Sequence, residues 1–150
     1  IATIDDGINE KMTLTDETDV SNKVKEYLEE KYVKKCDVEL EHISILLLSY
    51  LNPPQLPSSI PCKNWDIKCE SHTPYVINLL NSIPLYCDSL EIEVDNLGFG
   101  KIADMEQVIT AKTLSLKMTD QLMDFGISGE QIEKFKAEKV YLNEHDYYHP

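Results

Sequence analysis

Cys62, Cys69 and His72 form Cys-x6-Cys-x2-His, and Cys36 or Cys87 would complete four donors of the kind that hold zinc. The spacing argues against it. Structural zinc sites open with a tight Cys-x2–4-Cys knuckle, whereas Cys69 alternates with polar Lys68 and Glu70, which turns it inward as a small hydrophobe. Nucleophilic catalysis needs a hydroxyl or thiol beside a base, ideally on a strained Gly-x-Ser-x-Gly turn. No such turn occurs: Ile127-Ser128-Gly129 reads as a helix start, and His42, His72, His145 and His149 fall in loop or terminal contexts. Asn96-Leu97-Gly98-Phe99-Gly100 carries Gly-x-Gly after a strand but lacks the third glycine of a dinucleotide fingerprint, so it predicts a turn. Asp16-Glu17-Thr18-Asp19 lacks the mid-loop Gly and terminal Glu of a calcium loop, and is expected to supply negative charge ahead of a helix. No catalytic residue, metal or cofactor is expected.

What remains is recognition chemistry, and it sits on a repeated pattern. Five short stretches alternate apolar with polar residues: Asp37–Glu41, Asp66–Glu70, Leu90–Val94, Leu114–Lys117 and Val140–Asn143. Their first apolar residues, Val38, Ile67, Leu90, Leu114 and Val140, are separated by 29, 23, 24 and 26 residues, a repeat of about 25. Helical stretches are predicted between them: His42–Leu51, Thr73–Ile83 with Thr73 as N-cap and Pro74 at the first helical position, Ile102–Ile109, and a helix through Ile132 and Phe135 opened by the capping box Ser128-x-x-Gln131. The Pro-rich stretch 52–61 lengthens the first interval.

Strand, helix, strand at a short period predicts parallel strands joined by crossovers. Doubly wound sheets bury both faces, so their strands read as continuous apolar runs. Here every second residue is polar, which predicts one wet face and helices on the other. The expected fold is α/β: a short leucine-rich-repeat-like solenoid of about five parallel strands over 36–150, without an asparagine ladder. An amphipathic N-terminal helix at 19–35 and a loosely held acidic arm at 1–18 precede it.

The wet face would carry Asp37, Glu39 and Glu41, then Asp66, Lys68 and Glu70, then Ser89, Glu91 and Glu93, then Thr113, Ser115 and Lys117, then Lys139, Tyr141 and Asn143. Its first three strands hold seven acids and one base, a net of −6; the last two hold two bases, +2. Such an array favours a basic partner. Glu39, Glu41, Asp66, Glu70, Glu91 and Glu93 are therefore candidate partner-binding residues. Tyr141, Tyr147 and Tyr148 join them, as aromatic rings with polar tips at the last strand. That terminal edge is expected to be covered by further sequence, by another molecule or by a second copy.

Composition agrees with a protein-binding domain. The 150 residues carry 14 Lys+Arg against 27 Asp+Glu, 14 − 27 = −13, which disfavours nucleic acid and anionic membranes. The longest apolar run, Ile43–Leu51, is broken by Ser44 and Ser49 and is too short to span a bilayer. Four sparse cysteines at core-like positions, with no signal peptide, predict reduced thiols and an intracellular location, cytoplasmic or nuclear.

The segment Tyr75-Val76-Ile77-Asn78-Leu79-Leu80-Asn81-Ser82-Ile83-Pro84-Leu85-Tyr86-Cys87-Asp88-Ser89-Leu90-Glu91-Ile92, continued by Ile102–Gln107 and Ala111–Leu114, resembles the F-box-associated FTH domain of nematode F-box proteins. The resemblance spans roughly residues 36 to 150 and implies a degenerate leucine-rich-repeat fold serving as the substrate-recognition region of a ubiquitin ligase. Residues 1–35 lack the Leu-Pro-x-Glu opening of an F-box, and Leu56-Pro57-Ser58-Ser59 is misplaced for one. Docking to the Skp1–cullin machinery is thus expected only if an F-box lies outside these residues. A non-catalytic interaction module is the expected function. The alternatives are a small hydrolase or transferase whose site is not visible in sequence, and a stand-alone binder that neutralises a partner protein.

Overall fold

A computed structural model describes residues 2–5, 11–14, 40–47, 60–69, 73–95, 98–119, 125–143 and 145–147. Eight strands form one sheet: β1 (Ala2–Asp5), β2 (Lys11–Leu14), β3 (Leu40–Leu47), β4 (Cys62–Cys69), β5 (Ser89–Val94), β6 (Thr113–Met118), β7 (Lys139–Leu142) and β8 (His145–Tyr147), in the order β2-β1-β3-β4-β5-β6-β7-β8. The five from β3 to β7 are parallel and adjacent in sequence order. At each end the direction reverses: β1 pairs antiparallel with both β2 and β3, and β8 pairs antiparallel with β7. The sheet is therefore mixed, and residues 2–5 and 11–14, expected in a loose arm, are strands at one edge of it. The predicted helix 19–35 lies outside the described residues.

Alternation within the central strands decides which face is dry. Leu90, Ile92 and Val94 of β5 and Leu114, Leu116 and Met118 of β6 are buried, while the residues between them are only half-buried. Onto the dry face pack α1 (Thr73–Leu80) through Val76, Leu79 and Leu80, a 3₁₀ turn (Ile102–Asp104) through Ile102 and Ala103, and α2 (Glu106–Ile109) through Val108. α3 (Gly129–Lys134) buries none of its own residues fully, but Phe135 immediately after it enters the same core. At about 25 cal/mol per Å² of apolar surface, each buried Val, Leu, Ile or Phe among these stabilises by roughly 1.5–3 kcal/mol, which is what holds short connectors onto the sheet.

The first parallel strand corrects the sequence reading. His42–Leu51 was expected to be a helix; instead Leu40–Leu47 is a strand. A short continuous apolar run satisfies either period, and the β-branched Ile43 and Ile45 favour the extended form. The pattern also slips one residue along the strand. Leu40 is buried, Glu41 and His42 are exposed, and Ile43 is buried again; next to it Cys62 is buried, Lys63 and Asn64 are not, and Trp65 is. The two strands make this step together, with Leu40 beside Cys62 and Ile43 beside Trp65. The Trp65 indole N–H, buried at this step, donates to the Cys62 carbonyl at 3.2 Å.

Neighbouring connectors also bind one another. The Ser128 capping box is formed: Gln131 N donates to Ser128 Oγ at 3.2 Å and Ser128 N to Gln131 Oε1 at 2.9 Å. Gln131 Nε2 then donates to the Gly100 carbonyl at 2.7 Å, and Phe99 N to the Phe125 carbonyl at 2.7 Å, with the two phenyl rings stacked at 5.4 Å. A Cβ on Gly100 would lie 3.1 Å from the Gly126 carbonyl oxygen, so Gly-x-Gly here serves a close backbone approach. Asn143, at φ 50°, accepts the Met118 N–H on its Oδ1 at 2.8 Å and donates its own N–H to the Leu116 carbonyl. A single asparagine thus closes the end of β6 where a full ladder was not expected.

Candidate protein-interaction surface

The parallel register sorts the wet face into rows running across the strands. The first row is His42, Asn64, Ser89, Thr113 and Lys139; the second is Ser44, Asp66, Glu91, Ser115 and Tyr141; the third is Leu46, Lys68, Glu93 and Lys117. Adjacent members sit about 4.8 Å apart along the hydrogen-bonding direction, so each row behaves as one chemical stripe. Ser89 Oγ donates to Asn64 Oδ1 at 2.8 Å, and Asn64 Nδ2 to the Glu41 carbonyl at 2.9 Å, which fixes the first row. Lys117 Nζ lies 2.6 Å from Glu91 Oε1, and Lys68 Nζ 3.8 Å from Glu93 Oε2.

The step in β3 changes the electrostatics expected of this face. Its outward residues are His42, Ser44 and half-buried Leu46, none of them acidic, whereas Asp37, Glu39 and Glu41 were expected there. Across the described rows three acids, Asp66, Glu91 and Glu93, meet three bases, Lys68, Lys117 and Lys139; 3 − 3 = 0, so the face is balanced. Of the candidate residues, the fold brings Asp66, Glu91 and Tyr141 into one row and Glu93 into the next. Glu41 stands apart at the start of β3, 3.6 Å from Lys63 Nζ. Tyr147 lies on β8 opposite Val140 in the sheet register. Glu39, Glu70 and Tyr148 lie outside the described residues.

Asp66 is the electrostatic exception. Its Oδ1 is buried with no hydrogen-bond partner, the one such side-chain atom among the described residues. Burial, and then the Glu91 carboxylate, push its carboxyl above the usual aspartate range. The cysteines behave in the opposite sense to a metal site. Cys62 and Cys69 open and close the eight-residue β4, about 23 Å apart at a strand's rise, so they cannot share one ion. Burial pushes the Cys62 thiol to about 12 and the Cys87 thiol to about 11, keeping both protonated. His72 and Cys36 lie outside the described residues, and no group of three or more metal-ligating side chains occurs among those described.

Two features escaped the sequence reading. At the start of the parallel strands, Glu41, Lys63, Asp88, Lys112 and Glu138 occupy neighbouring positions and alternate in sign. Asp88 N donates to the Lys63 carbonyl and Glu138 N to the Lys112 carbonyl, and Lys112 Nζ meets Asp88 Oδ1 at 2.9 Å. A shift of one strand against the next would disturb this ladder, so it reinforces the register. The spacing of 22 to 26 residues carries the signal, but only once the strands are aligned. The second is Tyr86, in the left-handed region at φ 62° and 58% exposed beside Leu85 at 50%. Its N–H donates to the buried Thr110 hydroxyl at 3.1 Å, and Lys136 Nζ stands 5.8 Å from its ring centre.

No described helix is long and apolar enough to cross a membrane. Comparison of the chain with protein-family models, with curated proteins and with solved structures finds no match in any of the three.

Proposed function

We propose that this chain is a non-catalytic protein-interaction module that binds its partner across the open face of the parallel sheet. The observation that carries the reading is the division of the sheet: one face holds the hydrophobic core and every described connector helix, the other offers in-register rows of half-exposed polar side chains. A backbone bonded on both sides presents those rows with little ordering cost, which favours recognition. Finer points of the reading are a short solenoid similar to leucine-rich repeats, formed by the strand-and-connector unit of about 25 residues, and an intracellular location suited to its reduced thiols. The resemblance to the FTH region adds a class of role, substrate recognition for a ubiquitin ligase, with Skp1–cullin docking only if an F-box lies outside these residues. A net charge of −13 favours a basic partner.

Capture from native lysate on the immobilised full chain tests this. The comparison is among wild type, a face variant carrying Ser115→Arg and Glu93→Lys, and a control carrying Glu133→Lys on the exposed side of α3, each checked for fold by circular dichroism. The expected result is a defined partner retained by wild type and control and lost by the face variant, with Skp1–cullin components scored separately. Equal capture by the face variant refutes the reading.

A further inference from the structure

Asp66 occupies the middle of the open face, with Ser44 of β3 on one side and Glu91 of β5 on the other. Two carboxylates are thus direct cross-strand neighbours, an arrangement that costs energy when both are charged. The other acids of the face have cations: Glu91 holds Lys117 at 2.6 Å and Glu93 holds Lys68 at 3.8 Å. Among the described residues Asp66 has no such ion pair, and its buried Oδ1 finds no donor. A protonated carboxyl would remove the repulsion and turn an orphaned acceptor into a group with a donor of its own. We propose that Asp66 is a proton-operated switch set by its neighbour Glu91: Asp66 takes up one proton from solvent, which carries the balanced face to net positive and strengthens the parallel sheet.

The groups facing Asp66 are His42, Ser44 and Leu46 from β3, Asn64 and Lys68 on its own strand, and Ser89, Glu91 and Glu93 from β5. Burial, Glu91 and Glu93 favour the neutral acid; Lys68 and His42 favour the anion but do not reverse the direction, which is upward from 3.8. An acid raised in the folded state holds its proton more tightly there than in the unfolded chain. The stability gained is therefore complete below 3.8 and is lost as pH rises through the folded value. Most carboxylates paired in a native state act in the opposite sense. The proposal does not depend on what docks on the face.

Carboxyl carbon NMR shifts of the full chain, followed through an acid titration in wild type, Glu91→Gln and His42→Gln, read the switch directly. The expected results are an Asp66 midpoint above that of an ordinary aspartate, a fall of that midpoint in Glu91→Gln, and a rise in His42→Gln. An Asp66 midpoint at or below the ordinary value, or one unmoved by Glu91→Gln, overturns the proposal. Thermal unfolding gives an independent readout. Asp66→Asn is expected to melt higher than wild type near neutrality and to lose that advantage below pH 3.8; a melting deficit that is the same at every pH would also overturn it.

Discussion

Thr110→Val is the sharpest test of how this fold holds its strained corner. Thr110 is 3% exposed, and its hydroxyl has two jobs: it donates to the Glu106 carbonyl at 2.7 Å and accepts the Tyr86 N–H at 3.1 Å. Valine keeps the branched shape, so packing changes little, and the Glu106 carbonyl retains the Thr110 N–H at 3.0 Å. What is lost is the acceptor for Tyr86, whose left-handed backbone already costs about 1–2 kcal/mol. Leaving a partly buried donor unpaired costs about 1–3 kcal/mol, so the variant is expected to lose about 1–2 kcal/mol. In a domain of this length that lowers Tm by roughly 2–4 °C per kcal/mol. The assay is urea unfolding followed by the fluorescence of Trp65, the single tryptophan, which is buried at 1%. A loss below about 0.3 kcal/mol would show that Thr110 does not anchor Tyr86 and would refute the reasoning.

Tyr86→Gly should be near neutral in the same assay, because relief of about 1–2 kcal/mol of left-handed strain offsets the added freedom of glycine and an exposed cation–π contact of about 0.5–1 kcal/mol; a loss above 2 kcal/mol, of the size expected for a core residue, would make the ring structural. Ser128→Ala should cost about 1 kcal/mol through the broken capping box, measured as a shift of the urea midpoint. Cys62 and Cys87, with thiols at about 12 and about 11, should resist a thiol-labelling disulfide reagent at neutral pH and label fully in denaturant, as mapped by peptide mass; rapid native labelling at either would contradict their burial.

How much of this could be read in the sequence varied with how local the deciding interaction was. β5, β6 and β7 were legible because their residues alternate strictly, and the start of α3 because Ser128 and Gln131 satisfy each other within one turn. β3 was not, since Ile43–Leu51 is an apolar run that either period accommodates; its true pairing depends on Trp65 and Ile67 on the neighbouring strand. The one-residue step at Glu41–His42 and Lys63–Asn64 then set Glu41 apart from the rows of the face, a change no single-strand pattern contains. The positive φ of Tyr86 had no sequence signal either, because a tyrosine does not advertise a left-handed turn as glycine does. Asp66 was singled out from sequence as a face residue, but its buried, unpartnered oxygen emerges only when β3 and β5 flank it.

The balanced rows separate two properties that sequence alone had fused. The chain carries −13, yet the described face sums to zero, with Glu91 and Glu93 already engaged by Lys117 and Lys68. Attraction over distance depends on the summed charge and fades with salt beyond about 8–10 Å, whereas contact depends on the few groups a partner must desolvate. Under the interaction reading, the acidic remainder of the chain speeds the approach of a basic partner, and the rows select it by shape and hydrogen bonding. A partner cation that displaced Lys117 from Glu91 would exchange one ion pair for another at little net gain; beside Asp66, where no ion pair is given up, the same cation would gain one. The most discriminating position on the face is therefore the one where the protein's own electrostatics are least satisfied.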